Sequence, residues 1–590
     1  MRNPVIKNLG FTLIEVIIAI AIFTVVSVAI YSSYASIFNI LILAKLRSSA
    51  ITVAESEIEM IRNIPYPDVG VQGGSPSGNI APLKVVDYGG TLFNVRTTVR
   101  NVDDSFDGIL WGNPNDSIPS DYKLVHIEVG CASTCQIASV SMTTSVAPKD
   151  IEKSTKNGAL FINVFSASGN PISGANVSIV NNLVNPSINI SDTTNIEGSL
   201  NFVDIATSSA GYHIVITKNG YSSDRTYPLN SQSNPNPVKP DATVSEQDLT
   251  KISFAIDRVA SVTFKAQDNM CKPISSLSFR QTGEKLVGTN PDVPKYLIDH
   301  QTDVNGQSLI SNLEWDTYSF DNTTSTYDVI GFSPLMPLVV DPADSISAKW
   351  ILKKATPNSI LVTLIDENEL PLDGVTVKVT GQGVDQTRIT GQSEFDQTDW
   401  SNGQYASKTD GMDTNTVLGQ LTLRSMDGKY ATSSQELVST TFDMGTSDTI
   451  FYGLNWNSIS QPVQTGTDSL KFQVAANNDN STWNFVGPNG NSNTYYTVSN
   501  TQLHSSYNGK RYLRYKVFMN TSNDQYTPAL NDLNITFSSS CLSNGQAFFN
   551  NLPLGSYDIN ISKNGYDPIN DTGVSITYPW QEYTEMLFVP

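Results

Sequence analysis

The chain has 590 residues, 56 acidic against 36 basic, for a net charge of −20, yet only 16% of its residues are charged. That length suits about four or five ordinary domains with a largely neutral polar surface. An acidic chain without basic stretches excludes a nucleic-acid binder, and four cysteines make no disulfide scaffold, although an oxidising compartment stays open.

The first predicted element is an apolar helix. From Phe11 to Ala44 the chain is rich in Ile, Val and Ala, and Glu15 is its only charge. About 20 apolar residues cross a bilayer as a helix. Arg2 and Lys7 in the leader "MRNPVIKNLG" hold the N-terminus on the cytoplasmic side. A secretory signal carries its small-residue cleavage site after the apolar core. Here Gly10 precedes the core, so cleavage after Gly10 leaves the helix on the mature chain. A carboxylate in hydrocarbon costs roughly 2.5–3.5 kcal/mol, so Glu15 needs a compensating partner.

This order of leader, glycine and apolar helix, with "GFTLIE" at residues 10–15, resembles the N-terminus of type IV prepilins. The resemblance implies cleavage by a prepilin peptidase between Gly10 and Phe11, N-methylation of Phe11, and assembly through Glu15. As the fifth mature residue, Glu15 would pair with the amino terminus of a neighbouring subunit. It also implies partnership with other pilin subunits and an inner-membrane assembly platform. The chain would be single-pass in the cytoplasmic membrane before assembly, with its leader cytoplasmic, and extracellular on the pilus afterwards.

Beyond Ala44 the helix turns amphipathic. Leu46, Ala50, Val53, Ala54, Ile58 and Ile61 recur at spacings of three and four among charged residues, up to the prolines Pro65 and Pro67. Residues 11–63 would extend on the order of 80 Å at 1.5 Å per residue. Residues 64–149 then predict an antiparallel sheet, with strands in "TLFNVRTTVRNV", "YKLVHIEVG" and "ASVSMTTSVA". Together these give a pilin head. Cys131 and Cys135 flank "AST" between two alternating runs and are a candidate disulfide at a hairpin tip.

Past Lys149 the chain repeats. "LFINVFSASGNPISGANVSI" near residue 160 returns as "ILVTLIDENELPLDGVTVKV" near 360, and more weakly as "SVTFKAQDNMCKPISSLSF" near 261. Each copy carries a later glycine (Gly198, Gly306 or Gly545) before an apolar pair, and two close on "GYHIVITKNGY" and "GSYDINISKNGY". Period-2 strands separated by Gly, Asn and Pro turns predict a string of all-β sandwiches after the α+β pilin portion. The pattern resembles carboxypeptidase regulatory-like domains, which are transthyretin-like sandwiches used as spacers. We assign them to 157–258, 259–355, and 356–382 with 539–590. The junctions "AIDRVASVTF" and "KKATPNSILV" leave few linker residues and imply a stiff rod. Cys271 and Cys541 lie far apart, and the sequence does not pair them.

The last copy is opened. Ile179 and Gly198 in the first copy are separated by a short stretch, whereas Val379 and Gly545 are separated by the length of a whole domain. Residues 383–538 therefore form an inserted β domain, whose "FQVAANNDNSTWNFVGPNG" and "GKRYLRYKVFMNT" resemble discoidin-like or galactose-binding-like jelly rolls. Its Trp456, Trp483, Tyr495, Tyr496, Arg511 and Arg514 are candidate glycan-binding residues, because sugar C–H faces stack on rings while hydroxyls seek polar partners. Most aromatics in such a domain build its core.

His126, His213, His300 and His504 fall in separate predicted domains, and the chain has no G-x-S-x-G, H-E-x-x-H or phosphate-binding glycine loop. We expect no enzyme activity, no cofactor and no metal. The reading is a minor type IV pilin whose modular ectodomain serves adhesion or surface contact, its possible ligand a surface glycan or a partner cell. The alternative is a pseudopilin of a type II secretion or DNA-uptake machine whose head recruits cargo. Glu15 weighs against a secretion tip pseudopilin, since those commonly lack that glutamate.

Overall fold

The computed structural model describes residues 13–590 except 107, 111, 117–118, 133–136, 150–155 and 459–462; within the first helix the side chains of 15 and 19 are also outside the description. One long helix is followed by β-sheets to the end of the chain. The chain divides into two compact units, Met1–Arg258 with Leu286–Val293, and Val259–Lys285 with Pro294–Pro590.

In the first unit, helix α1 spans Leu13–Arg62. Its N-terminal half exposes Ile, Val, Leu and Phe side chains continuously, and the helix is long and apolar enough to cross a membrane. From Ala50 the helix buries Ala50, Val53, Ala54 and Ile61 against an antiparallel sheet of β1 (Leu83–Tyr88), β2 (Thr91–Val102), β3 (Tyr122–Cys131) and β4 (Val140–Val146), paired in that order. The inward face of this sheet is Phe93, Val95, Val99, Val125, Ile127 and Val129, alternating as strands require. Glu57 on the helix faces the sheet, nearly buried, and is neutralised by Lys84 Nζ of β1 at 2.7 Å. β1, with its run of "LKVVDY", has no clean alternation, and no strand is predicted there from sequence.

The first sandwich follows in the same unit. One sheet places Gly158–Phe165 between Ser199–Ile205 (antiparallel) and Leu249–Ala255 (parallel). The other centres Asn176–Asn181 between Ile188–Thr193 and Ser208–Thr217.

The second unit repeats this plan twice. Ala260–Gln267 lies between Gln307–Leu313 and the parallel Ser345–Lys354, and Ser278–Gly283 lies between Leu297–Gln301 and Asp316–Asn322. Ser359–Ile365 likewise lies between Gln546–Asn550 and the parallel Trp580–Met586, facing a sheet in which Thr376–Gly381 pairs Val384–Ile389 and Gly555–Ser562.

Three details recur in all three sandwiches. A buried threonine (Thr194, Thr302 or Thr390) accepts a backbone N–H at 3.0 Å from Ala175, Leu277 or Val375, and donates to the carbonyl of Ile172, Ile274 or Leu372. A glycine at φ 70° (Gly198, Gly306 or Gly545) gives its carbonyl to the first strand, where a Cβ would strike the carbonyl oxygen of Val164, Ala266 or Leu364. A tyrosine hydroxyl (Tyr212, Tyr318 or Tyr557) bonds the carbonyl of Ala206, Glu314 or Pro553, closing a corner.

The insert has its own core, from Phe395 through Trp400, Phe472, Tyr515 and Phe537 to Leu542. Two sheets enclose it. Ser393–Gln397, Asp532–Ser538 and Ile450–Asn457 form one; Tyr405–Lys408, Gln435–Ser439, Tyr512–Met519 and Leu470–Asn477 form the other. One expectation changes here. The insert starts at Ser393 rather than 383, because Val384–Ile389 pairs with the host strand Thr376–Gly381. The segments "STWNFVGP" and "NTYYTV" each touch Leu470–Asn477 through a single bridge, Val474 to Val486 and Phe472 to Tyr496.

Candidate functional site

Three places carry the predicted site residues: the start of the helix, the end of β3 and the insert.

Gly10 and Phe11 lie outside the described residues. Glu15 is a helical residue of α1, near the start of the described helix, and its side chain is outside the description. Its surroundings along the helix are exposed apolar side chains, Leu13, Ile14, Val16, Ile17 and Ile18. Cys131 ends β3 and is disulfide-bonded; Cys135 lies outside the described residues. The pairing that sequence left open is made: Cys271 and Cys541 form a disulfide across a sequence separation of 270, joining the second sandwich to the segment that leaves the insert. Gln267 Nε2 donates to the Cys541 carbonyl at 3.0 Å, and Lys349 Nζ to the carbonyls of Ser540 and Leu542 at 3.0 and 2.9 Å.

The six aromatic and arginine candidates of the insert do not form one cluster. Tyr496 is fully buried, its hydroxyl taking the His504 N–H at 3.1 Å, so it is a core residue that presents nothing to a ligand. Neighbouring positions of an extended stretch face opposite ways, and Tyr495 is the one that points outward. Trp456 packs its ring 4.6 Å from Phe472, half-buried against the same core. Arg511 is held by both oxygens of Asp443, at 2.7 and 3.0 Å, and this guanidinium keeps the Asp443 carboxyl below its ordinary range.

The remaining three share one sheet face. Arg514, Lys516 and Phe518 alternate along Tyr512–Met519 and therefore project to the same side. The Arg514 guanidinium sits 4.4 Å above Trp483, Lys516 reaches Phe485 at 5.0 Å, and Phe518 meets Tyr495 edge-on at 5.2 Å. Lys471, opposite Phe518 on the next strand, caps Tyr495 at 4.2 Å. This is a row of cation–π contacts, in which the rings and charges already satisfy one another. Lys471, Phe485, Lys516 and Phe518 were not singled out from sequence. Their signal is the alternation within "YLRYKVFM", which places cations and rings on the outer face and Leu513, Tyr515 and Val517 on the inner.

The prokaryotic N-terminal methylation motif matches residues 6–31. None of the curated proteins matches the chain. Among solved structures, the Bacillus anthracis TIE protein is 11% identical, with a TM-score of 0.15 over 52% of this chain and 68% of that one. The minor pilin GBS52 of Streptococcus agalactiae is 15% identical, with a TM-score of 0.18 over 33% of this chain and 96% of its own. The shaft pilin SpaA of Lactobacillus rhamnosus GG is 11% identical, with a TM-score of 0.15 over 34% and 100%. Likenesses at these TM-scores carry no functional information. The methylation motif, set on an exposed apolar helix, marks a pilin-like N-terminus.

Proposed function

We propose that the chain is a minor type IV pilin whose large modular ectodomain is displayed on or near the pilus tip for adhesion or surface contact. The observation that carries this reading is the methylation motif at residues 6–31 on a helix with two halves. The first half is exposed and apolar, as a membrane and then a filament core require; the second is amphipathic and packed on its own sheet. An anchor alone needs only about 20 residues, and α1 has 50.

The sandwiches act as spacers of the carboxypeptidase regulatory-like kind, and the insert, of discoidin-like or galactose-binding-like type, as the contact module; neither does catalysis. A head of this size clashes if repeated in every turn of a filament, so low copy number follows. Prepilin peptidase cuts after Gly10, Phe11 is methylated, and the assembly platform passes the helix from the membrane to the filament. Labelling the C-terminal domain on intact cells tests the proposal. Label along extended fibres supports it, while envelope puncta point to a secretion or DNA-uptake machine. N-terminal mass spectrometry of the envelope protein should show methylated Phe11; an intact Met1 start would overturn the pilin assignment.

A further inference from the structure

The second unit contains a cleft of about 620 Å³ where the second sandwich, the host sandwich and the insert meet. That volume lies within the range of small-molecule sites, which are roughly 300–1,000 Å³. Its floor is apolar, from Ile330, Ile351 and Phe548. Its insert wall is made of neutral hydrogen-bonding groups: Tyr452, Asn455, Asn534, Asn500 and Gln502.

The polar groups are only partly used. Asn455 Nδ2 donates to Asn534 Oδ1 at 2.9 Å, which leaves one amide carbonyl and one amide NH₂ of the pair open. Among the described residues, the side-chain amides of Asn500 and Gln502 take part in no intramolecular hydrogen bond. Ser543 also lines the cleft. It is 5% exposed, and its Oγ lies below the cleft surface, out of reach of a ligand.

The charges at the cleft are matched within the protein. Lys353 pairs Asp396 at 2.9 Å, and Arg388 pairs Glu394 at 2.7 Å. Neither an anion nor a cation is therefore called for. The walls are also braced: the disulfide at Cys541 lies two residues from Ser543, and Gln546 Oε1 takes the Phe332 N–H of the second sandwich at 2.8 Å.

We infer that this cleft is a binding site for a neutral saccharide, held by the Asn455–Asn534 pair, Asn500 and Gln502, with a C–H face on Tyr452 or the apolar floor. Planar amides offer a donor and an acceptor side by side, as the adjacent hydroxyls of a sugar do, and the apolar floor takes the C–H surface. The site is distinct from the cation–π row, whose groups are already mutually satisfied. The inference deepens the display reading above and rests on it for its biological setting.

The test uses the full chain in detergent micelles on an array of neutral mono- to trisaccharides, with sialylated and sulfated members as charged comparators. Asn500→Gly/Gln502→Ala removes two side-chain amides that bond nothing else, and glycine keeps the φ of 62° at position 500 without strain, so Tm should stay unchanged while binding to the neutral members weakens at least tenfold. Trp483→Ala should stay within twofold of wild type. Loss of binding in Trp483→Ala but not in the double variant, binding to charged members alone, or no binding at all would each overturn the cleft assignment. The same variants on cells separate the two readings. If pili carrying Asn500→Gly/Gln502→Ala adhere as wild type does, display stands and the cleft falls. If the chain is absent from sheared pili but binds saccharides in a cleft-dependent way, the cleft stands and display falls.

Discussion

Thr194, Thr302 and Thr390 do the same work in three sandwiches: each hydroxyl closes a backbone N–H and a backbone carbonyl that have no ladder partner, in a place water does not reach. Valine has the same shape and neither hydrogen bond. Thr194→Val should therefore cost roughly 1–3 kcal/mol in the first unit, and Thr302→Val the same in the second, read as lowered midpoints in thermal unfolding of the full chain. Unchanged midpoints would show that the threonines do not carry these turns. Glu15 belongs to the same scale. If cleavage creates an amine on a neighbour's Phe11 that matches Glu15, then Glu15→Ala leaves insertion and cleavage intact while lowering the amount of chain in sheared fibres. Wild-type incorporation would refute the pairing. The residues also show how far a sequence can be read. The motif around Gly10–Glu15 could be read because it is carried by the linear order of the residues, and the prokaryotic N-terminal methylation motif matches residues 6–31. The assignment of Tyr495 and Tyr496 was not, since adjacent residues of an extended stretch face opposite ways and only packing shows which one is buried.

At the scale of elements, the disulfide decides more than any strand does. Cys271 and Cys541 close a covalent loop that spans most of the second unit and hold the insert's exit segment against the second sandwich, beside Gln267 and Lys349. A cross-link of this span restricts the unfolded chain strongly, so Cys271→Ser/Cys541→Ser should cost roughly 2–5 kcal/mol. The second unit should then melt earlier and become open to protease near residues 539–545, with the first unit unchanged; equal melting with and without reductant would refute this. Sequence left the pair unmatched because its members lie in different domains, and spacing carries no information across that distance. The start of the insert is displaced for a related reason. "VDQTRI" lacks an apolar alternation, since Val384–Ile389 is an edge strand with a neighbour on one side only, so no change of pattern separates it from the insert's first strand. By contrast β2 and β3, flanked on both sides and buried on one face, alternate cleanly and were visible at once.

At the scale of the whole molecule, the insert is attached in a way that makes it removable. Its first strand, Ser393–Gln397, pairs antiparallel with its last, Asp532–Ser538, with Ser393 opposite Phe537. Entry and exit are therefore neighbours, and the host sandwich meets the insert as it would meet a turn. The second sandwich shows what that turn is without an insert: Asp303–Gln307, in which Asp303 Oδ1 accepts from the N–H groups of Asn305 and Gln307 at 2.9 and 2.8 Å. Replacing residues 393–543 with such a turn, together with Cys271→Ser to avoid a stranded thiol, should leave the host strand Gln546–Asn550 paired with Ser359–Ile365. The shortened chain should still be cut, methylated and found in sheared pili, because α1 and its sheet lie in the other unit. Adhesion to partner cells and saccharide binding should both disappear, since the insert supplies the polar wall of the cleft. Binding by the shortened chain at the wild-type level would place the contact surface on the spacers and remove the insert from the account; failure to reach the pilus would mean that the insert acts in assembly rather than in contact.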